Sequence, residues 1–457
     1  MHCLIRNGQV LTGGQVKKSD ILIEDEKIKE VDENIDYPAD EIIDAKDKLV
    51  IPGGVDVHTH MNLDLGKYVS IDDFYSGSLA ASYGGTTTIV DHIGALEKGA
   101  SLKKMIDHYH DLADGRAVID YSFHGALYEV SDELIDEIAG LYRDEGVVSV
   151  KIYTTYSGKL DDDEILRVLK KAKETGTVVC VHCENDKSIE ELRKEAKEQG
   201  NLDPIYHAKT RPPATEAEAI NRLAYLSELA GYPKLYIVHT STKEGLEEIK
   251  LARKRGVKNL YCETCTQYLT LDESYYYKDG NAEGIKYIMA PPLRKTEDIE
   301  ALWQGIIDGD VDVIATDHCP FYYGRDKSPY KDNFLDCPGG GPGVEERMEV
   351  VISEGLKRNI PLAKLIDLLS YNPAKIFGMG HIKGQIKEGF DADIVILANN
   401  PYTISQENRH SNCDYTSYEG FVSNYKVHTV ISRGELILTN GKYSAKEGRG
   451  KFIYRKF

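Results

Sequence analysis

Eight short apolar runs along the middle of the chain constrain its fold more than any other feature. They are Gly54–His60, Thr86–His92, Ile119–Ala126, Val148–Tyr156, Thr177–Glu184, Lys234–Thr240, Asn259–Cys265 and Asp312–His318. Rich in Val, Ile and Thr, they read as strands buried on both faces. Most are followed by a helical stretch, such as DDDEILRVLKKAKETG or STKEGLEEIKLARKRG, whose last Gly suits the left-handed position just past a helix. Buried strands alternating with helices imply a parallel sheet, and eight of them predict an α/β fold of the (β/α)8 barrel type. A doubly wound open sheet is the alternative. It would bring a glycine-rich loop after its first strand, whereas Gly53-Gly54 precedes the strand here.

The two ends have a different rhythm. LIRNGQVL, DILIEDEKIKEV and EIIDAKDKLVI near the start, and ADIVIL and VHTVISRGELILTNGKY near the end, read as short strands, with Asn7-Gly8, Gly13-Gly14 and Asn440-Gly441 as turn signals. Neither end alone has enough strands for a stable core. Residues 1–52 and 380–457 are therefore expected to join as one split β-sandwich, with the barrel inserted over residues 53–379.

Composition narrows the partners. With 56 basic and 75 acidic residues the net charge is −19, which argues against nucleic acid or an anionic membrane. No apolar run approaches the ~20 residues of a membrane span, and MHCLIRNGQV lacks the features of a signal peptide. The eight Cys are too few for a disulfide scaffold and point to the cytoplasm. Two CxxC pairs, Cys180/Cys183 and Cys262/Cys265, stand too far apart for a zinc ribbon and read as small buried strand residues.

Seven histidines, His58, His60, His92, His124, His182, His239 and His318, fall at or near the C-terminal ends of the expected strands, where barrels build their active sites. In His58-Thr59-His60 the two imidazoles share one strand face, which suits two ligands on one metal. His182, His239 and Asp317 end later strands. Four imidazoles and a carboxylate exceed what one tetrahedral zinc with an open position needs, so two Zn2+ ions are the economical reading. Lys151 lies inside the fourth strand, where an ammonium is costly unless it is paired. Addition of CO2 would turn it into an anionic carbamate that bridges both metals together with a hydroxide. The plainer reading is a salt bridge to a nearby acid.

The motifs GGVDVHTH, GGTTTIVDH, VKIYTTY, VHCEND, VHTS, MAPPLR, ATDHCPF and GGPGVEER stand in an order and spacing that resemble the cyclic amidohydrolases. The branch is the hydantoinase/dihydropyrimidinase family, and the likeness is greatest to its phenylhydantoinases. It covers essentially the whole chain. The resemblance implies that His58, His60 and Asp317 bind the more buried metal. His182 and His239 would bind the more exposed one, and carboxylated Lys151 (N6-carboxylysine) would bridge the pair. It further implies that Tyr156 stabilises the oxyanion, that Asp317 shuttles the proton, and that the assembly is a homotetramer. The expected reaction opens a small cyclic amide to an N-carbamoyl amino acid. Ala290 and Gly339 replace the Ser and Asn usual at the positions that hold the ring amide. Leu65, Tyr153 and Leu160 match positions that receive the exocyclic group, which favours 5-substituted hydantoins.

Four other readings compete. Dihydropyrimidinase and allantoinase share the metals. Dihydroorotase needs an Arg two residues after the HxH, and Asn62 stands there. A non-catalytic scaffold would have lost ligands, and every expected ligand is present.

Overall fold

The computed structural model describes residues 2–457. Eight parallel strands pair in sequence order: β1 (Gly54–Thr59), β2 (Thr86–His92), β3 (Asp120–Ala126), β4 (Ser149–Tyr153), β5 (Val178–His182), β6 (Lys234–Ile237), β7 (Leu260–Cys265) and β8 (Val313–Ala315). The sheet closes on itself where Thr59 bridges His318 and the His60 N–H donates to the His318 carbonyl at 2.9 Å. The result is the (β/α)8 barrel expected from the sequence. β1, β2, β3 and β5 are buried at every residue, which is why the runs show no wet face.

The flanking helices end as their glycines suggest. Gly176 (φ 80°) follows the helix Asp162–Thr175, and Gly256 (φ 102°) follows Lys243–Arg255; each N–H returns to the carbonyl of Ala172 or Ala252. Gly53 and Gly54 serve packing. A Cβ on Gly53 would lie 2.2 Å from Thr87 Oγ1, and one on Gly54 2.8 Å from an Arg347 guanidinium nitrogen.

The two ends of the chain meet in one nine-stranded sheet. Leu49–Pro52 pairs antiparallel with Ile394–Ala398, and a separate core of Ile5, Ile21, Ile23, Val50, Ile394 and Ile396 forms beside them. Gly13-Gly14 and Asn440-Gly441 turn hairpins with positive φ at both residues. Asn7-Gly8 does not turn the chain. It is a bulge inside the single strand His2–Thr12, with Asn7 at φ 62°. The bulge lets the first half of that strand pair with Glu41–Asp44 and the second half with Leu49–Pro52. The last residues leave the sheet for the barrel: the Tyr121 N–H donates to the Lys451 carbonyl, and Arg455, fully buried, donates to Ser122, Ser149 and Phe123.

A buried charge cluster fastens barrel to sheet. Lys383, 1% exposed, donates to Asp120 on β3 at 2.7 Å and to Asp393 at 2.6 Å, and lies 3.0 Å from Asp391. Arg433 also reaches Asp120, at 2.8 Å. Lys383→Met should cost about 3–5 kcal/mol, because it leaves the buried Asp393 without its cation. Urea unfolding measures it; a loss below about 1 kcal/mol, typical of exposed pairs, would show that water reaches the cluster. No helix among the described residues is long and apolar enough to cross a membrane.

Candidate active site

The strand ends open onto a cavity of about 1540 Å³. His58 and His60 enter it from β1. His58 Nδ1 lies 2.7 Å from Glu263 Oε1, which also accepts the His239 backbone N–H at 2.9 Å; Tyr236 donates to the other oxygen at 2.8 Å. A carboxylate on Nδ1 keeps the proton there and leaves the Nε2 lone pair free. His58 Nε2 and His60 Nε2 each lie 3.1 Å from Asp317 Oδ1. One ligand atom from each of these three residues falls within 4.8 Å of the other two. His58 Nε2, buried, has no hydrogen-bond partner. A buried lone pair facing a second imidazole and a carboxylate fits a divalent cation with nitrogen and oxygen ligands.

The charges agree with that fit. Burial opposes a charge on His58, yet Glu263 and Asp317 push its imidazole up to about 9. Burial would also raise Asp317, yet His58 and His60 hold it well below the ordinary carboxylate range. The cluster favours positive charge and keeps Asp317 ionised. A second group, His58, Glu263 and Cys265, has ligand atoms as close together, but Glu263 is spent on His58, Tyr236 and the His239 backbone.

His182 and His239 stand beside this cluster. Their ring centres are 4.5 Å apart, and that of His239 is 5.4 Å from that of His58. His182 Nε2 lies 2.7 Å from Glu184, which also accepts from Arg211. Against its burial, Arg211 and His182 draw Glu184 down to about 2. Glu184 thus orients His182 as Glu263 orients His58. Lys151, 1% exposed on β4, lines the same cavity and pairs with no described acid, so the salt-bridge reading fails. Burial lowers its pKa.

Asp317 (φ 55°), Tyr156 (φ 75°) and His239 (φ 37°) all hold left-handed backbone, an unfavourable conformation for non-glycine residues that clusters at functional sites. Tyr156, 41% exposed, lines the cavity, as do Tyr153, Leu65, Ala290 and Gly339. Leu160 does not. Its N–H donates to the Tyr153 carbonyl at 3.0 Å, and its side chain, 3% exposed, joins the barrel core ahead of the helix Asp162–Thr175. The expectation that it receives an exocyclic group is corrected.

Two of the seven strand-end histidines do structural work. His124 bonds Ser149 and the Val57 carbonyl, and His318 bonds Asp72. Both nitrogens of His92 are buried without a partner, with its ring centre 4.4 Å from that of His58. Glu263, Glu184 and Arg211 went unnoticed in the sequence. An acid two residues after His182 was the one available hint. The four CxxC cysteines are free and buried.

Comparisons with known proteins place this geometry. The amidohydrolase family model matches residues 49–437. D-phenylhydantoinase of Escherichia coli strain K12 is 42% identical over 460 residues, covering 100% of this chain and 98% of the relative. A solved D-hydantoinase matches with TM-score 0.97 at 40% identity, covering 100% of this chain and 99% of that one. A dihydropyrimidinase from Brevibacillus agri matches with TM-score 0.96 at 39% identity and the same coverage. With histidines and an aspartate gathered at the mouth of such a barrel, and with relatives alike along its whole length, the chain belongs to the amidohydrolase family, in its hydantoinase/dihydropyrimidinase branch.

Proposed function

We propose that this enzyme hydrolyses the ring amide of 5-substituted hydantoins to give N-carbamoyl amino acids. The observation that carries the reading is Lys151: a buried amine with no acid at ion-pair distance among the described residues, lining one cavity with four imidazoles and Asp317. Burial favours the neutral form of that amine. The neutral nitrogen would add to CO2, forming an N–C bond and releasing a proton, and the carbamate oxygens would hold two zinc ions. His58, His60 and Asp317 would complete one zinc site, and His182 and His239 the other. Bound there, zinc would supply Lewis acidity and lower the pKa of water towards about 7.

The chain's own groups do the rest. Tyr156 would donate its phenolic hydrogen to the ring carbonyl oxygen as charge develops on it. Asp317, held ionised, would accept the proton of the attacking water and pass it to the leaving ring nitrogen. Main-chain groups at Ala290 and Gly339 would hold the ring amide. Leu63, Leu65, Tyr153, Leu96, Met105 and Leu127 line an apolar part of the cavity and would receive the 5-substituent. A homotetramer in the cytoplasm completes the reading.

A hydrolysis panel of dihydrouracil, hydantoin, 5-phenylhydantoin, allantoin and dihydroorotate tests it. The expected order puts 5-phenylhydantoin first. Dihydrouracil faster than every hydantoin would make the enzyme a dihydropyrimidinase, a reading favoured by the match to the Brevibacillus agri protein. Absence of turnover with no zinc bound would favour the non-catalytic scaffold. Tyr153→Ala should lower kcat/KM for 5-phenylhydantoin about tenfold more than for hydantoin, the size of one aromatic contact. Equal losses on both substrates would remove Tyr153 from the pocket.

A further inference from the structure

Away from the histidines, the cavity wall carries a cation with no ion-pair partner among the described residues. Arg193, on the helix Asp186–Glu198, is half-buried and lines the cavity. Its Nη2 donates to the Leu335 carbonyl at 2.9 Å, and its guanidinium carbon lies 5.5 Å from the centre of the Phe334 ring. These contacts hold the guanidinium by one nitrogen and one face. No described acid pairs with it. The nearby acids on the same helix are engaged elsewhere: Asp186 holds Lys159, and Glu190 holds Lys187 at 2.6 Å. Burial lowers the Arg193 pKa and Arg211 adds a second positive charge beside it, against smaller opposing pulls from Tyr156 and Asp336.

Arg211 reinforces the same wall. It is 5% exposed and lines the cavity, and its guanidinium carbon lies 5.5 Å from the Tyr156 ring centre. Glu184 takes its Nη1, while its buried Nε has no partner. Among the described residues no acid reaches Arg193 at ion-pair distance; Asp336, the acid whose charge it feels, accepts instead from Asn333 at 2.7 Å. A guanidinium without an ion pair, lining a cavity and backed by a second cation, suits an anion. Arg suits a carboxylate because its planar fork matches the two oxygens.

We propose that Arg193, supported by Arg211, forms a carboxylate-binding subsite on the Tyr156 side of the cavity. The proposal rests on the hydantoinase reading for what enters that cavity. The carboxylate has two sources. One is a carboxyalkyl arm on the 5-position of the substrate. The other is the carboxylate that ring opening creates in every N-carbamoyl amino acid product.

The test uses the zinc-loaded enzyme, wild type against Arg193→Gln and Arg193→Lys. Two near-isosteric substrates are compared, 5-(2-carboxyethyl)hydantoin and 5-(2-carbamoylethyl)hydantoin, and inhibition by N-carbamoylalanine is measured alongside. If the substrate arm is the ligand, Arg193→Gln lowers the acidic-to-neutral ratio of kcat/KM by about 10–100-fold, the range for one charge-assisted hydrogen bond. The loss falls mainly on KM, and Arg193→Lys recovers part of it. If the product is the ligand, that ratio holds and the N-carbamoylalanine inhibition constant rises by a similar factor. Equal losses on both substrates with an unchanged inhibition constant overturn the proposal. Failure of the wild type on every cyclic amide would sink the hydantoinase reading instead. The subsite is then read by calorimetric titration with N-carbamoylalanine: binding lost in Arg193→Gln supports it, and binding that is absent from the wild type or equal in both overturns it.

Discussion

Lys151→Ala should leave a folded enzyme that no longer retains two zinc ions and has lost at least ~10³-fold in turnover, because on the proposed reading it removes the anionic oxygens that would hold both metals. Metal content by mass spectrometry and kcat on 5-phenylhydantoin are the readouts. Wild type should carry about two zinc ions per chain, as a two-metal site requires. Short carboxylic acids with bicarbonate should restore part of the variant's activity, since the position left by the Lys151 side chain can admit a small carboxylate. Wild-type metal content together with wild-type turnover in Lys151→Ala would remove the bridging role. Two observations motivate the prediction: Lys151 is 1% exposed, and no described acid pairs with it. An ammonium so placed would be an unpaid desolvation cost, whereas a carbamate has cations to meet.

Asp317→Asn should lose about 10²–10⁴-fold in kcat, the range for general acid–base catalysis. The amide keeps an oxygen near His58 Nε2 and His60 Nε2, which lie 3.1 Å from Asp317 Oδ1, but it cannot take up the proton. The test separates the two roles by measuring zinc and rate together. Retained zinc with a collapsed rate assigns the proton to Asp317. Retained zinc with nearly full rate would send the search to another base. The pH profile follows from the sign of the shift. Asp317 is held well below the ordinary carboxylate range, so the base is ionised above that lowered value and activity falls only as pH drops through it.

Much of this site was legible because barrel strands translate sequence position directly into direction. His58 and His60 share a face by the period of a strand, and the buried run VSVKIYTTY fixed the depth of Lys151. The groups that orient the ligands were not legible. Glu263 meets His58 across the barrel, from β7 to β1, and nothing local to either motif announces the other. Arg211 reaches Glu184 from beyond the helix Ile205–Lys209. Leu160 failed for a local reason: the loop after β4 folds back through the Leu160 N–H to Tyr153 bond and turns the side chain into the core. Asn7-Gly8 shows the same limit. The dipeptide specifies positive φ, and only the neighbouring strands decide whether that makes a turn or a bulge.

The closure of the barrel, where Thr59 on β1 bridges His318 just past β8, decides when His58, His60 and Asp317 come together during synthesis. His58 and His60 leave the ribosome early, while Asp317 follows only after every other barrel strand has been made. No partial chain therefore holds His58, His60 and Asp317 together. The terminal sheet imposes a similar wait, because Leu49–Pro52 must stay open until Ile394–Ala398 arrives. Such long-range pairing folds slowly and leaves an open strand edge exposed in the meantime, so the yield of soluble enzyme should depend more on chaperone supply than on the metal content of the medium.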